Sequence, residues 1–133
     1  MDARTVLIID DDQKVLEALK DVLETDNYIV HTARDGASGI RSFDSDSPDL
    51  VITDINMPDV EGIELVRNLA KRNRKVPVIA ISGDPVGANF LKAARLLGAV
   101  DTLLKPFSIA ELREKVSSAL AGGKPGAPEG DQG

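Results

Sequence analysis

The chain has 133 residues, 42% of them hydrophobic and 29% charged, and its formal net charge is −6. This length suits one domain with its own core, and the acidic balance argues against nucleic acid as a ligand, because duplex binding needs a basic face. The chain has no cysteine and one histidine, which excludes disulfides, thiolate metal sites and histidine-cluster zinc sites.

The N-terminus carries no recognisable targeting signal. It turns acidic at residues 10–12, before the apolar core of a signal peptide could form. No apolar run in the sequence approaches the roughly 20 residues that a membrane-spanning helix needs. The sequence therefore predicts a cytoplasmic protein without a membrane contact.

Two hydrophobic periods alternate along the chain. Short apolar runs predict five strands, at Val6–Ile9, Tyr28–Ala33, Leu50–Thr53, Val76–Ile81 and Thr102–Leu104. Apolar residues at helical spacing predict five helices, around residues 15–23, 36–43, 63–70, 90–97 and 109–120. Asp12, Asp35 and Ser108 are predicted N-caps, and Gly98 is predicted to follow the end of the fourth helix. This alternation predicts an α/β fold with a doubly wound parallel sheet.

The end of the chain has a different composition. Residues 122–133 contain five of the 11 glycines and two of the 7 prolines, with no branched aliphatic or aromatic residue. Such a segment buries too little apolar surface to offset its ordering entropy. We therefore expect a folded domain at 1–121, followed by a disordered tail or linker.

Polar residues mark the ends of four predicted strands. Asp10–Asp12 follow the first strand, Asp54 the third, Ser82 the fourth and Lys105 the fifth. The carboxyl ends of parallel strands meet at one edge of the sheet, where doubly wound folds bind their ligands. We therefore expect these side chains to lie close together.

The acidic residues at this edge predict a magnesium site. Capping a helix requires one carboxylate, whereas several close together repel one another. With no cysteine ligand and no histidine at this edge, hard oxygen donors favour Mg²⁺. Beside such a site, Lys105 and Ser82 would make Asp54 typical of an aspartyl nucleophile in phosphoryl transfer. Taken alone, Asp10–Asp12 could instead only cap the first helix, and Asp54 could be an ordinary turn residue at the end of a strand.

Four segments in order resemble the receiver domain of bacterial two-component response regulators: LIIDDD at 7–12, DINMPDVEG at 54–62, AISG at 80–83 and LLKPF at 103–107. The resemblance runs from Val6 to about Leu120. It implies a flavodoxin-like sheet with strand order 2-1-3-4-5, the order of the family's chemotaxis member.

The resemblance also implies roles for individual residues. Asp54 would accept a phosphoryl group from a phosphohistidine on a sensor histidine kinase or histidine phosphotransfer protein. Mg²⁺ would be held by Asp10, Asp11 and Asp54 and by the backbone carbonyl of Asn56. Lys105 would pair with the phosphoryl oxygens, and its bond to Pro106 would be cis. Such a domain is not an enzyme acting on other molecules, although it catalyses its own phosphorylation and dephosphorylation.

Three further positions bear on switching and on the lifetime of the phosphoryl group. Ser82 is expected to move toward the phosphoryl group, drawing its loop inward and passing the change to the fourth helix and a downstream target or output domain. Thr102 stands where many receivers carry a switching aromatic residue, which argues against coupled aromatic motion here. Asn56 and Asp84 occupy positions that tune phosphoryl lifetime in the family.

Other functions are compatible with parts of the pattern. A phosphohydrolase resembling the haloacid dehalogenases would use Asp10 as its nucleophile, but Lys14 stands where that pattern has a small hydroxyl residue or valine, and Asp54 would have no role. A flavin binder would need a first loop rich in Ser, Thr and Gly. A receiver retained only as a scaffold is a further alternative. His31, on the second strand, is predicted to be structural or exposed.

Overall fold

Five strands and four complete helices form the part of the chain that the computed structural model describes, residues 3–55, 62–83, 92, 94–96 and 98–122. The strands are β1 (Thr5–Ile9), β2 (Ile29–Ala33), β3 (Leu50–Asp54), β4 (Val78–Ser82) and β5 (Asp101–Leu104). The helices are α1 (Gln13–Thr25), α2 (Gly36–Asp46), α3 (Gly62–Arg72) and a C-terminal helix (Ile109–Leu120). Residues 92 and 94–96 are also helical, inside the predicted fourth helix. Within these ranges, no helix is long and apolar enough to cross a membrane.

The strands form one parallel sheet in the order β2-β1-β3-β4-β5. This confirms the predicted order, with β1 and β3 as neighbours at the sheet's centre. The register aligns Ile9 with Thr53, Asp54 with Ile81, and Ser82 with Leu104. The carboxyl ends of β1, β3, β4 and β5 therefore reach the same edge.

Helices cover both faces of the sheet, as the doubly wound prediction requires. Leu7 and Val51 belong to a core cluster that includes Phe43 from α2 and Leu69 from α3. The alternate strand residues belong to a second cluster, closed by α1 and the C-terminal helix. Every residue of β3 and β4 is buried. Because β3 and β4 are packed on both faces, they firmly support the edge of the sheet where the polar residues lie.

Local capping explains where the helices begin and end. Asp12, Asp35 and Ser108 accept hydrogen bonds from backbone N–H groups in the first turns of their helices, which confirms the three predicted N-caps. The predicted second helix was too short. It continues to Asp46, whose carboxylate accepts a hydrogen bond from Ser42 (2.6 Å), and it ends where Ser47 adopts a positive φ of 49°.

The predicted start of the fourth strand was also wrong. β4 begins at Val78 instead of Val76, because the Val76 N–H bonds to the Asn73 carbonyl in a turn (3.1 Å) and Pro77 has no N–H to donate. The predicted helix at 109–120 is present with the same bounds, and Ile109, its first residue, is 52% exposed. Half of the predicted fourth helix (residues 90, 91, 93 and 97) and residues 123–133 of the predicted tail lie outside the described residues.

Candidate functional site

Asp10 stands directly after β1, in the turn that leads into α1. Its backbone N–H donates to the Ala33 carbonyl (3.0 Å), which continues the pairing with β2 for one residue. Its Oδ1 accepts the Asp12 N–H (2.9 Å), and its side chain is almost completely buried. Asp12 turns away to cap α1 by accepting the Lys14 N–H (2.9 Å). Of the three consecutive aspartates, Asp12 therefore caps α1, whereas Asp10 and Asp11 belong to the site. Asp10 is buried there, and Asp11 is exposed at the edge of the sheet.

Asp54 ends β3, and its side chain is 7% exposed. The following residue stays in register, since the Ile55 N–H donates to the Ile81 carbonyl (2.9 Å). This pairing holds the Asp54 carboxylate at the level of the turn after β1. One carboxylate oxygen from each of Asp10, Asp11 and Asp54 lies within 4.8 Å of the others. The predicted convergence of acidic side chains from separate strands is therefore present.

Lys105 brings a cation to the same group. Its Nζ lies 3.3 Å from Oδ2 of Asp10 and 3.5 Å from Oδ2 of Asp54. Its backbone N–H donates to the Ser82 carbonyl (2.8 Å), and the Lys105–Pro106 bond is cis. A Cβ on Gly83 would stand 3.1 Å from Cδ of Lys105, so glycine at this position leaves room for the lysine stem. Ser82 is completely buried at the end of the neighbouring strand.

The pKa values of Asp10 and Lys105 depend on how far each side chain is buried and on the charges beside it. Burial raises the pKa of Asp10 to about 6, helped by the nearby Asp54 carboxylate and opposed by the Asp12 N–H and Lys105. Partial burial acts to lower the pKa of Lys105, but the carboxylates of Asp54 and Asp10 outweigh it, so that this pKa is raised. Lys105 therefore remains a cation. The carboxylates of the cluster outnumber it, and this excess of negative charge favours binding of a further cation.

The donor set of this cluster fits Mg²⁺. It consists of carboxylate oxygens from two turns, one side open to water through Asp11, and no nitrogen or sulfur ligand. Mg²⁺ is bound by few carboxylates and keeps several waters, so that some of these three carboxylates would contact it through water. Bound there, it would supply positive charge that complements Lys105 around a phosphoryl group at Asp54.

The remaining predicted residues are placed as follows. Asn56 and Asp84 lie outside the described residues. Thr102 is half-buried on β5, and its carbonyl accepts a hydrogen bond from Nζ of Lys115 (2.6 Å). His31 on β2 is away from the cluster, with Nδ1 lying 3.6 Å from the Asp46 carboxylate.

The sequence reasoning missed two residues that shape this region, Gly83 and Lys115. Gly83 is adjacent to a predicted site residue, and its fit to the Lys105 side chain becomes visible only in three dimensions. Lys115 also lies 3.1 Å from the Asp101 carboxylate. It thereby links the C-terminal helix to β5 across a sequence distance that no local pattern spans.

Comparison with known sequences gives a consistent set of relatives. A family model described as the response regulator receiver domain matches residues 6–117. The chain is 38% identical over 115 residues to the transcriptional regulatory protein PrrA of Mycobacterium tuberculosis, covering 86% of this chain and 49% of PrrA. It is 30% identical over 129 residues to the alkaline phosphatase synthesis transcriptional regulatory protein PhoP of Bacillus subtilis, covering 96% of this chain and 53% of PhoP. The chain thus spans about half the length of these curated relatives.

Solved structures give the same result for the fold. A CheY-like receiver domain protein from Methanospirillum hungatei superposes with a TM-score of 0.85 at 28% identity, covering 90% of this chain and 95% of that one. The response regulator TrrA of Thermotoga maritima, solved in complex with Mg²⁺-BeF, superposes with a TM-score of 0.78 at 30% identity, covering 86% and 97%. Both superpositions therefore include most of this chain and nearly all of each known structure.

Proposed function

We propose a phosphoryl-accepting role in two-component signalling for this chain, which belongs to the response regulator receiver domain family. Phosphorylation of an aspartate and dependence on Mg²⁺ are features of that family. In this chain we assign the phosphoacceptor role to Asp54. The observation that carries the assignment is the position of Lys105, whose Nζ lies within 3.5 Å of the carboxylates of both Asp10 and Asp54.

The proposed reaction is a displacement at phosphorus. A carboxylate oxygen of Asp54 attacks the phosphorus of a phosphohistidine, and an O–P bond forms as the P–N bond breaks. The electron pair of that bond returns to the imidazole nitrogen of the donor, and no proton transfer to Asp54 is needed. Lys105 stabilises the negative charge on the transferring oxygens, because its ammonium group is already held beside the nucleophile.

We assign metal binding to Asp10, Asp11 and Asp54. The oxygen-only donor set supports this choice, as does the similarity to TrrA, which was solved with Mg²⁺-BeF. The backbone carbonyl of Asn56 and the lifetime-tuning roles of Asn56 and Asp84 remain predictions about residues outside the described part. Autocatalytic dephosphorylation belongs to the same proposal.

The switch is proposed to begin at Ser82. Its hydroxyl stands at the end of β4, and its carbonyl already bonds to the Lys105 backbone. A phosphoryl group at Asp54 would offer Ser82 new acceptors, and the loop that follows would move with it. Thr102 is too small to replace a switching aromatic side chain, so we assign the transmission of the change to the Ser82 loop and the fourth helix.

The proposed partners are a histidine kinase or phosphotransfer protein as donor, and a target protein or output domain as receiver of the signal. Two relatives are named transcriptional regulators and are about twice as long as the matched region. We therefore propose that signalling passes from this domain to another domain or protein, without direct nucleic-acid binding by the domain itself. The proposed location is the cytoplasm.

The test uses acetyl phosphate as a small phosphodonor, with intact-mass measurement of the protein. We expect one added phosphoryl group in the presence of Mg²⁺, none with a chelator, and none in the Asp54→Asn variant. Asp21→Asn, which alters an exposed carboxylate on α1, is the matched control and should still accept the group. Trapping the acyl phosphate by reduction and mapping it to Asp10 would overturn the assignment and favour the phosphohydrolase alternative.

A further inference from the structure

We infer that a basic groove between α3 and the loop before β5 is a docking surface for an acidic segment of a partner protein that also carries apolar side chains. The groove has a volume of about 400 Å³, and its described lining residues include none of those assigned to phosphoryl transfer. Its cationic residues are Arg67, Lys71, Arg74 and Arg95, and its apolar ones include Ala70, Val76, Leu96 and Val100.

The charge of this region runs against that of the chain. The net charge is −6, yet residues 67–75 contain five Lys or Arg residues and no acidic one. Cations in the last turn of a helix stabilise its dipole, which accounts for Lys71 and Arg72 in α3. Arg67 lies more than a turn before the end of α3 and pairs with Glu64 on the same helix. Neither explanation extends to Arg74, which lies beyond the end of α3.

Three of the four groove cations lack an ion pair such as the neighbouring Arg72 has. The fourth, Arg67, has its Nη1 3.6 Å from the Glu64 carboxylate on the same helix. Arg72 donates two hydrogen bonds to the Asp44 carboxylate (2.9 and 2.7 Å) on the side of α3 that faces α2. Within the described part of the chain, Lys71, Arg74 and Arg95 have no carboxylate at ion-pair distance, and none of the described residues lining the groove is acidic. These like charges repel one another, and an acidic ligand would relieve the repulsion.

The shape of the groove is fixed by a close backbone approach. Gly98 has a φ of 129°, and a Cβ at this position would lie 2.5 Å from Cβ of Ala70 on α3. The loop is then anchored to the sheet, because the Val100 N–H donates to the Val78 carbonyl (2.8 Å). Glycine thus allows the loop to pack against α3, which brings Arg95 to the same groove as the cations of α3.

The apolar residues favour a protein ligand over nucleic acid. Leu96 is 83% exposed at the edge of the groove, where an apolar partner side chain would bury it. The described lining residues include no aromatic side chain on which a base could stack. A short acidic and apolar segment matches both properties of the groove.

The inference does not depend on phosphorylation, so its test uses the full, unphosphorylated chain. The probe is a fluorescein-labelled peptide of glutamate and leucine, with binding followed by fluorescence anisotropy. We expect binding to weaken about tenfold or more in the double variant Lys71→Glu/Arg95→Glu, since two attractive charge pairs become repulsive. Lys20→Glu/Arg41→Glu changes the net charge equally, at a half-exposed position of α1 and an exposed position of α2, and should bind as the parent does.

Two further measurements complete the test. Leu96→Ser should also weaken binding of the glutamate–leucine peptide, and a peptide with glutamine in place of glutamate should bind poorly to the parent chain. Circular dichroism of each variant establishes that the fold is retained. No binding by the parent chain, equal loss in both double variants, or tighter binding of a duplex oligonucleotide than of the peptide would overturn the inference.

Discussion

Replacing the buried carboxylate of Asp10 with an amide is expected to stabilise the metal-free protein. Burial raises the pKa of this group from 3.8 to about 6. This change of about 2 pKa units corresponds to about 3 kcal/mol at neutral pH, the free energy by which ionised Asp10 lowers stability. The amide of Asp10→Asn keeps an acceptor for the Asp12 N–H, but it loses the ion pair with Lys105. Because the raised pKa of Asp10 already includes the attraction of Lys105, we expect a net gain of about 2 kcal/mol in the free energy of unfolding.

The pH dependence of this gain follows from the direction of the pKa shift. A raised acid pKa means that the folded protein binds the proton more tightly than the unfolded chain does. The cost of Asp10 is therefore fully present above pH 6 and disappears as the pH falls toward 4. The advantage of the Asp10→Asn variant over the parent should shrink across the same interval.

Magnesium should make the parent protein more stable than the Asp10→Asn variant. At about 100 times its dissociation constant, a ligand that binds only the folded state adds about 2.7 kcal/mol. The parent should gain this increment, whereas Asp10→Asn should gain much less because a charged ligand is missing. Urea unfolding followed by circular dichroism, with Mg²⁺ or with a chelator, measures both effects, and Asp21→Asn is the control. A variant that is less stable than the parent without metal, or that gains the full increment with Mg²⁺, would refute the reasoning.

Three further changes test other parts of the structure. Lys105→Ala should leave the fold intact by circular dichroism but weaken phosphorylation-dependent signalling, and normal signalling would refute its assigned role. Gly98→Ala should lower the free energy of unfolding by about 2 kcal/mol or more through its positive φ and its contact with Ala70, whereas Gly122→Ala, which has open space around it, should cost less. Asp12→Ala should cost about 1 kcal/mol in urea unfolding by removing the α1 cap, and an unchanged midpoint would contradict that role.

Local patterns in the sequence were sufficient for most of the fold. Hydrophobic runs located all five strands, because strands buried on both faces, as β3 and β4 are, consist mostly of apolar residues. The polar residues directly after these runs include Asp10, Asp54, Ser82 and Lys105. Their meeting was predictable because the carboxyl ends of parallel strands lie at one edge of the sheet. Helix periodicity was less reliable at element ends, since α2 continues to Asp46, beyond its predicted end.

Tertiary structure decided what depends on distances between elements. The position of Lys105 beside Asp10 and Asp54 requires the register of the sheet and the room left by Gly83. The basic groove likewise combines residues from α3 with residues from the segment before β5, and they meet only because Gly98 approaches Ala70. Side-chain periodicity is a property of one element, whereas charge clusters and pKa shifts arise from the packing of several.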